Sequence, residues 1–423
     1  MPLLKTTTPK SVFVTLIGLY IAQAIPLYLV AAALPPILRE RGVDLAVIGA
    51  FAVLLAPWVL KFLWAPYVDR LSRGGKLGRK AWIIATQCLV LSCIFTLSSF
   101  DPVTDVGYFF PLLMMMSVGA ATQDIATDGY AVEHLASRDQ PIGNAIQGGA
   151  VAAGVLLGGS VTLFVHDLSG WTIAVLTAGA LSALATLPIL IVREDVGKRE
   201  QEEISTKASL LTFFKRKEAI AIFVFALLFR VPEGLIKAVE QAFLVDAGFS
   251  LTKIGLISGG SAAVVGLAGS AIGMLIILRF GLKSFLWGII TLRTVCFAGY
   301  VAAAYTGLPD WALIGLSALN TFSRYMEIVG LYTAFMRIAS LKQAGTDFTI
   351  LSSANLLMYM VGSMLAGVIA SAAGYALLFT IATVLSVITG VMAMWILPRS
   401  VTVHVPSNHT SSTQNTEFTE RVT

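Results

Sequence analysis

The chain alternates long apolar runs with short polar stretches. Runs of about 18 or more apolar residues lie near residues 11–38, 45–68, 81–99, 108–132, 142–165 and 171–192. Six more follow near residues 219–245, 251–278, 284–305, 311–336, 348–371 and 374–397. A helix needs about 20 mostly apolar residues to cross a membrane. The pattern therefore predicts an all-α integral membrane protein with twelve transmembrane helices, numbered here in chain order.

The polar stretches divide the chain into four parts. Residues 1–192 are expected to form an N-terminal six-helix bundle, and residues 218–398 a C-terminal one. Residues 193–217 would link them, and residues 399–423, rich in Ser, Thr and Asn, would form a disordered tail. The first run lacks a cleavage-site pattern and is too long for a signal peptide, so we expect it to stay in the chain.

Composition supports this class of protein. Of 423 residues, 57% are hydrophobic and only 13% are charged, which excludes a soluble globular protein. Cys88, Cys93 and Cys296 lie inside apolar runs, without the spacing of a disulfide framework or a zinc site. No metal site and no cofactor are expected.

Lys and Arg are unevenly distributed between alternate loops. With the N-terminus in the cytoplasm, 21 of the 29 lie on the cytoplasmic side, against Arg39, Arg41 and Lys253 outside. Cytoplasmic loops of membrane proteins carry an excess of Lys and Arg. Both termini are therefore predicted to be cytoplasmic, and the net charge of +5 reflects orientation rather than binding to nucleic acid.

The two halves repeat one another. Five residues of the first half recur 206 positions later: Pro26, Gly42, Leu45, Ile48 and Gly49 as Pro232, Gly248, Leu251, Ile254 and Gly255. A second register of 203, in which Ala136-Ser137 matches Ala339-Ser340, places Asp124 opposite Glu327, although chance could also produce this match. A parallel six-plus-six repeat is the arrangement of major facilitator transporters, which hold substrate near the membrane midplane. We expect that fold.

Nine charges lie inside spans 4, 7, 9 and 10, where each costs several kcal/mol unless it is paired or faces water. They are Asp124 and Asp128 in span 4, Arg230, Glu233, Lys237 and Glu240 in span 7, Arg293 in span 9, and Arg324 and Glu327 in span 10. Helical spacing puts each set on one face of its helix. In a major facilitator arrangement spans 1, 4, 7 and 10 line the cavity, where span 1 adds Tyr20, Gln23 and Tyr28.

These residues predict a substrate site. Arginine suits carboxylates because it binds them with two parallel contacts. The candidate substrate-binding residues from this pattern are Tyr20, Gln23, Arg230, Glu233, Lys237, Glu240 and Arg324. The alternative is that the charges form self-satisfied pairs, such as Glu233 with Lys237, and Arg293 could equally be a packing charge.

Three carboxyl groups are candidates for proton coupling: Asp124, Asp128 and Glu327. A low dielectric disfavours the charged form of a carboxyl group, so such a group can exchange a proton near working pH.

The segment between spans 2 and 3, Asp69-Arg70-Leu71-Ser72-Arg73-Gly74-Gly75-Lys76-Leu77-Gly78-Arg79-Lys80, resembles the major facilitator signature loop with extra residues inserted. In that family the loop latches the inner gate. By this resemblance Asp69, Arg70 and Arg79 are gate residues, and Arg138 in the loop after span 4 is a possible partner. A plain positive-inside anchor would explain the bases but not Asp69.

Glycines recur at four-residue spacing, Gly154 with Gly158 in span 5 and Gly269 with Gly273 in span 8. Such faces allow helices to approach closely. Plain packing is the simpler interpretation, although spans 5 and 8 of major facilitators also pack across the interface between the halves.

Three segments resemble the muropeptide permeases of the AmpG type: Leu60-Lys61-Phe62-Leu63-Trp64-Ala65-Pro66 with Asp69-Arg70, Gly78-Arg79-Lys80 with Trp82, and Ala121-Thr122-Gln123-Asp124-Ile125-Ala126-Thr127-Asp128. Twelve predicted spans and the Gln-Asp-Ile-Ala-Thr-Asp sequence are closer to the related siderophore permeases of the rhizobactin and pyochelin type. The resemblance implies roles for Lys61, Gln123, Asp124 and Asp128. Lys61 is assigned to the gate and Gln123 to the substrate site, although Lys61 could snorkel to the surface and Gln123 could bond a neighbouring helix.

The resemblance thus implies a siderophore importer of the bacterial inner membrane, which we expect to be proton-coupled and monomeric, with a muropeptide permease as the alternative. An enzyme is not expected, because His134, His166, His404 and His409 are scattered and no Gly-x-x-x-x-Gly-Lys-Ser/Thr phosphate loop occurs. A receptor or scaffold would not need so many buried charges.

Overall fold

A computed structural model describes residues 7–43, 51–74, 78–192, 208–250, 253–254, 257 and 261–402. Within these ranges the regular elements are all helices. Most of the predicted linker and nearly all of the predicted tail lie outside the described residues.

The first half contains helices α1 to α6. Helix α1 consists of an α-helix Lys10–Tyr28, a π-helical turn Leu29–Ala33 and an α-helix Leu34–Glu40. Helix α2 is built from short pieces: 3-10 turns at Phe51–Leu55 and Lys61–Leu63, and α-helices at Ala56–Leu60 and Ala65–Gly74. Helix α3 is Arg79–Leu97 and α4 is Val106–His134. Helix α5 starts as Gln140–Gly154, passes through a π-helical turn Val155–Val161 and continues into Thr162–Ile191, where a break at Gly170 separates it from α6.

The second half contains helices α7 to α12. Helix α7 is Lys217–Lys237, followed by the short helix Glu240–Asp246. The stretch Ala262–Thr306 is broken at Gly281 into α8 and α9, and α10 is Asp310–Ile338. The stretch Ala344–Ile396 is broken at Gly374 into α11 and α12. Short helices Leu210–Phe214 and Arg399–Thr402 flank this half.

The three breaks share one backbone conformation. Gly170, Gly281 and Gly374 have φ of 79, 79 and 80° with ψ of 179, 162 and 167°. A side chain is strongly disfavoured in this region, which is essentially restricted to glycine. Glycine at these positions therefore lets the chain leave one helix and begin the next without a loop.

Seven of the described helices are long and apolar enough to cross a membrane. Three of them, 45 to 56 residues long, contain the glycine breaks and exceed the length of one crossing. Helix α10 is not among the seven because Asn320, Arg324 and Glu327 make it less apolar, and in α2 the apolar helix Val53–Leu63 is short. The protein is a multi-pass membrane protein, and twelve crossings stay a prediction.

The hydrophobic core is shared at one end of the molecule and divided at the other. At the end where α4 finishes and α11 begins, here called the basic end, one core joins residues of both halves, including Leu16, Tyr130, Phe335 and Phe348. At the opposite end there are two cores among the described residues. One consists of residues of the first half, between positions 25 and 178, and the other of residues of the second half, between positions 235 and 382. The halves therefore pack together at the basic end and have separate cores at the opposite end.

The predicted repeat has a local structural counterpart. Gly42 and Gly248, 206 positions apart, both have positive φ, of 82 and 93°. The two helix ends also make the same backbone hydrogen bonds, Gly42 to Arg39 and Val43 to Leu38, then Gly248 to Val245 and Phe249 to Leu244. Pro26 and Pro232, the same distance apart, both lie inside a helix, in α1 and α7. Residues 44–50, 251–252 and 255–256 lie outside the described residues, so the matches of Leu45, Ile48 and Gly49 stay a prediction.

The glycine pairs pack within their own halves. Gly154 and Gly158 lie against Ala24, Ile25 and Tyr28 of α1, whereas Gly269 and Gly273 lie against α10. The contact between α5 and α8 instead uses Gly148, which faces Ser270. The plain packing interpretation fits, and the four-residue pairs are not themselves the interface between the halves.

An exposed contact joins two loops at the opposite end. The backbone N–H groups of Thr104 and Val103 donate to Asp101, as does the side chain of Arg41. These hydrogen bonds lower the pKa of Asp101 to about 2. The carboxylate therefore stays ionised at physiological pH and links the end of α1 to the loop before α4.

Candidate functional site

A cluster of ionisable side chains lies between α1, α2 and α4 in the first half. The Lys61 ammonium, carried by the 3-10 turn of α2, pairs with Asp124 of α4, and both side chains are buried. One turn further along α4, Asp128 Oδ1 accepts from the Tyr20 hydroxyl at 3.0 Å and from Gln147 Nε2 at 3.3 Å. Asp128 Oδ2 is buried with no hydrogen-bond partner among the described groups. The cluster thus holds two carboxyl groups and one base.

The two glutamines predicted in the substrate site point in different directions. Gln23 Nε2 donates to Thr127 Oγ1 at 2.7 Å, beside the Asp128 cluster. Gln123 Nε2 donates to Gln87 Oε1 of α3 at 2.8 Å. Gln123 therefore bonds a neighbouring helix inside the first half, which was the alternative left open by the sequence, and it lies outside the cluster.

Five charged side chains from α7, α9 and α10 form a chain of alternating sign in the second half. Glu327 lies between two arginines, with Oε2 at 3.1 Å from Arg293 Nη1 and Oε1 at 3.3 Å from Arg230 Nη1. Glu233 lies between Arg230, at 2.9 Å, and Arg324, at 3.1 Å. The Glu233 contacts are ion pairs without hydrogen-bond geometry. Three arginines and two glutamates leave one positive charge in excess.

Arg324 is the accessible end of this chain. Its side chain is 28% exposed, against 6% for Arg230 and 2% for Arg293. The guanidinium groups of Arg324 and Arg230 lie over the same ring, that of Tyr359 in α11, at 5.6 and 5.3 Å from its centre. The excess charge can therefore meet a ligand at Arg324.

The four charged residues that were predicted to share one face of span 7 divide into two groups. Helix α7 ends at Lys237, and Lys237 pairs with Glu240 at 2.5 Å rather than with Glu233. The Tyr300 hydroxyl donates to Glu240 Oε1 at 2.6 Å. Lys237 and Glu240 therefore form a separate cluster with α9, away from the Arg230 chain, and the suggested pair of Glu233 with Lys237 is wrong.

Arg293 is a packing charge as well as an ion-pair partner. Its Nη1 donates to the Phe229 carbonyl at 2.8 Å, and its Nε donates to Ser386 at 3.1 Å. It is fully enclosed and fixes Glu327 from the side remote from Arg324.

The gate residues lie at the basic end, except for one. Asp69 Oδ1 accepts from Arg79 at 2.7 Å, and Asp69 Oδ2 accepts from the backbone N–H of Thr346 at 2.6 Å. Arg79 also binds Glu133 at 2.9 Å. Asp69 thereby connects the first half to the start of α11 in the second. Lys61 lies instead in the buried cluster with Asp124 and does not snorkel to the surface.

Of the other two predicted gate residues, Arg70 makes a long-range contact and Arg138 a local one. Arg70 Nε donates to the Ala208 carbonyl at 2.6 Å, just before the short helix that precedes α7. Arg138 is largely exposed, and its ion-pair partner among the described residues is its neighbour Asp139, at 3.4 Å. Asp139 in turn accepts from the backbone of Thr8.

Sequence reasoning missed a second acidic contact at this end. Asp347 of α11 pairs with Arg216, accepts from the Ser340 backbone at 2.8 Å and from Gln343 at 2.5 Å. The spacing of Ser340, Gln343 and Asp347 was a usable signal. Tyr359 and Tyr332 were missed as well, because a neutral residue in an apolar helix carries no charge signal. Tyr332 lies within electrostatic range of Lys61, Asp128 and Arg230.

The part of the chain that the structure describes holds no group of three His, Cys, Asp or Glu side chains able to bind a metal ion. The site is instead a set of paired charges on helices of both halves.

Comparison with known proteins gives the family. The sequence profile of the Major Facilitator Superfamily matches residues 16–346. The chain belongs to this superfamily. Among curated relatives of this facilitator, the "Putative transporter AmpG 4" of Rickettsia conorii is 25% identical over 372 residues, which cover 84% of the chain and 89% of the relative. The "Anhydromuropeptide permease" of Escherichia coli K12 is 23% identical over 350 residues, which cover 82% and 71%.

Solved structures give the same fold. This facilitator superimposes with a TM-score of 0.70 on a bacterial homologue of the iron transporter ferroportin in an outward-facing state. The match covers 91% of the chain and 99% of that structure at 14% sequence identity. At this identity the likeness concerns the fold alone. The protein is a membrane transporter of the major facilitator type and is similar to AmpG-type permeases.

Proposed function

We propose that the protein is a muropeptide permease, a secondary transporter that carries peptidoglycan fragments across the bacterial inner membrane into the cytoplasm. The similarity to an anhydromuropeptide permease along most of both chains supports this substrate class. It replaces the siderophore import that the sequence motifs favoured, because the relatives point to AmpG-type transport.

The site chemistry that supports the proposal is the charge chain ending at Arg324. A muropeptide carries carboxylates on its peptide, and arginine binds carboxylates with two parallel hydrogen bonds. The second half offers one excess positive charge, at the accessible end of an otherwise buried chain. A substrate carboxylate at Arg324 would neutralise that charge.

We further propose twelve membrane crossings in two six-helix halves, with both termini in the cytoplasm. The glycine breaks, which divide three long stretches, and the matching helix ends at Gly42 and Gly248 support this topology. With that orientation the basic end is cytoplasmic. The shared core and the Asp69 contact at this end fit a state that is closed toward the cytoplasm.

Asp128 is our candidate for proton coupling. Lys61 already compensates Asp124, whereas Asp128 has one oxygen without a partner. An uncompensated charge is costly in a low dielectric, so a proton on Asp128 would favour closure of the site. Glu327 is a weaker candidate than the sequence suggested, because both of its oxygens contact arginines.

Uptake in proteoliposomes tests the proposal. Labelled anhydromuropeptide and labelled ferric siderophores are offered with and without an inward proton gradient. We expect gradient-dependent uptake of the muropeptide, at a rate at least tenfold above that of liposomes without protein. Siderophore uptake without muropeptide uptake would refute the proposed substrate class.

The same assay tests the proton carrier. Asp128→Asn should remove the response to the gradient, while Asp310→Asn, at an exposed ion pair of the opposite end, should leave it unchanged. A normal gradient response in Asp128→Asn would exclude Asp128 as the coupling residue.

A further inference from the structure

A cavity of about 190 Å³ lies between α1, α2 and α4. Its walls include Pro26 and Val30 of α1, Phe51 and Trp58 of α2, and Met116 and Ala120 of α4. We call this cavity the outer chamber.

The walls of the outer chamber are apolar. Among the lining residues that the structure describes, only Ser117 and the Trp58 indole carry N–H or O–H groups in their side chains. The Ser117 hydroxyl is already used, because it donates to the Leu54 carbonyl at 2.5 Å. The chamber therefore offers few hydrogen bonds to a guest and suits an apolar group.

The outer chamber adjoins the charged cluster of the first half. Ala120 lies one helical turn from Asp124 on the same face of α4. Trp58 lines the chamber, and the Lys61 ammonium lies 5.5 Å from the centre of its ring. The apolar outer chamber and the charged cluster are thus continuous along α2 and α4.

The walls also depart from regular α-helix in two places. Val30 belongs to the π-helical turn Leu29–Ala33, which follows Pro26 inside α1. Phe51 and Leu54 belong to the 3-10 turn Phe51–Leu55. Such turns are frequent at functional sites because they redirect side chains locally. Here both turns form part of the wall of the outer chamber.

We propose that the outer chamber binds the apolar part of the transported molecule, while Lys61, Asp124 and the neighbouring polar groups bind its polar part. This inference rests on the proposed transport function. For a muropeptide, the apolar part consists of the methyl groups and ring carbons of its sugar and peptide. The chamber would then select cargo by its hydrocarbon content, and Arg324 would select it by charge.

A labelling experiment tests the chamber without assuming the cargo. In a variant whose three cysteines are replaced, Val30→Cys is exposed to benzyl methanethiosulfonate, alone and combined with Ala120→Leu, which fills the chamber. We expect the filling substitution to slow labelling at least tenfold. Ala302→Leu, on an exposed face of α9, is the matched control and should not change the rate. Labelling that is unaffected by Ala120→Leu would overturn the proposal.

A second experiment tests whether the transported molecule occupies the outer chamber. Anhydromuropeptide should protect Val30→Cys from the benzyl reagent, and Ala120→Leu should lower muropeptide uptake at least tenfold while Ala302→Leu does not. Protection by phospholipid chains instead of cargo would make the chamber a lipid site and overturn the proposal. If the unsubstituted protein takes up no muropeptide, the proposed function fails, and the labelling rates still decide whether the chamber admits an apolar group.

Discussion

At the scale of single residues, the candidate site consists of charged side chains buried between apolar helices, where each charge needs an opposite charge nearby. Most of the buried charges in the described residues have an opposite charge in contact, as in Lys61 with Asp124 and Glu327 with two arginines, and Asp128 is the exception. Removing one member leaves its partner uncompensated, which costs far more than removing both. The clusters therefore stabilise the helix bundle only when complete.

The Lys61 pair gives a direct test. Lys61→Met alone should destabilise the protein by about 3 kcal/mol, because Asp124 is left buried without its partner. The double variant Lys61→Met with Asp124→Leu should recover most of that loss. The measurement is thermal unfolding in detergent, and equal melting temperatures for the single and double variants would contradict the pairing.

Arg324 should determine affinity for a carboxylate cargo. A hydrogen bond to a charged group contributes about 1.5–3 kcal/mol, so Arg324→Gln should raise the KM of uptake at least tenfold. Arg324→Lys keeps the charge but loses the two parallel contacts, so its KM should lie between those of the unsubstituted protein and Arg324→Gln. Arg138→Gln, exposed at the basic end, is the control. A KM unchanged in Arg324→Gln would remove this residue from the substrate site.

At the scale of elements, glycine and irregular turns shape the helices around the site. The breaks at Gly170, Gly281 and Gly374 have dihedral angles in a region essentially restricted to glycine. The π and 3-10 turns of α1 and α2 re-aim the side chains that line the outer chamber and carry Lys61. Local backbone geometry thus decides where the functional side chains lie.

The breaks are testable with one matched pair. Gly281→Ala should destabilise the protein by about 1–3 kcal/mol, because its dihedral angles disfavour any side chain. Gly288→Ala in α9, where an added methyl group meets no atom, should be neutral or slightly stabilising, because alanine is the better helix former. Urea or thermal unfolding measures the change in the free energy of unfolding for each variant, and equal changes for the two substitutions would contradict the strain argument.

At the scale of the whole molecule, the halves are joined at the basic end and have separate cores at the opposite end. The shared core, the Asp69 contact with Thr346 and the Asn144 contact with Thr333 all cross between the halves there. Alternating access requires these contacts to break while the opposite end closes.

Weakening the Asp69 contact should shift this equilibrium. Asp69→Asn removes the charge that binds Arg79 and one strong acceptor for Thr346, so the basic end should open more often. Spin labels at Arg138 and Leu341, both exposed at that end, should show longer distances by pulsed EPR. Labels at Tyr108 and Trp311, exposed at the opposite end, should show shorter ones. Unchanged distance distributions at both ends would contradict a latch at Asp69.

Much of this protein could be predicted from the sequence, because membrane helices are recognised by local length and apolarity. The helical class, the transporter family and the helices that carry buried charge all follow from local patterns. The charges Arg230, Glu327 and Asp128 stand out because a charge in an apolar run is rare.

Only the tertiary structure decided which of these groups meet. Lys61 could have reached the surface or the cavity, and only the packing of α2 against α4 brings it to Asp124. Gln123 and Lys237 were separated from the central clusters by the rotation of α4 and by the end of α7, which spacing alone does not fix. Pairing between helices depends on contacts across up to hundreds of residues, whereas sequence periodicity reports only which face of one helix a residue occupies.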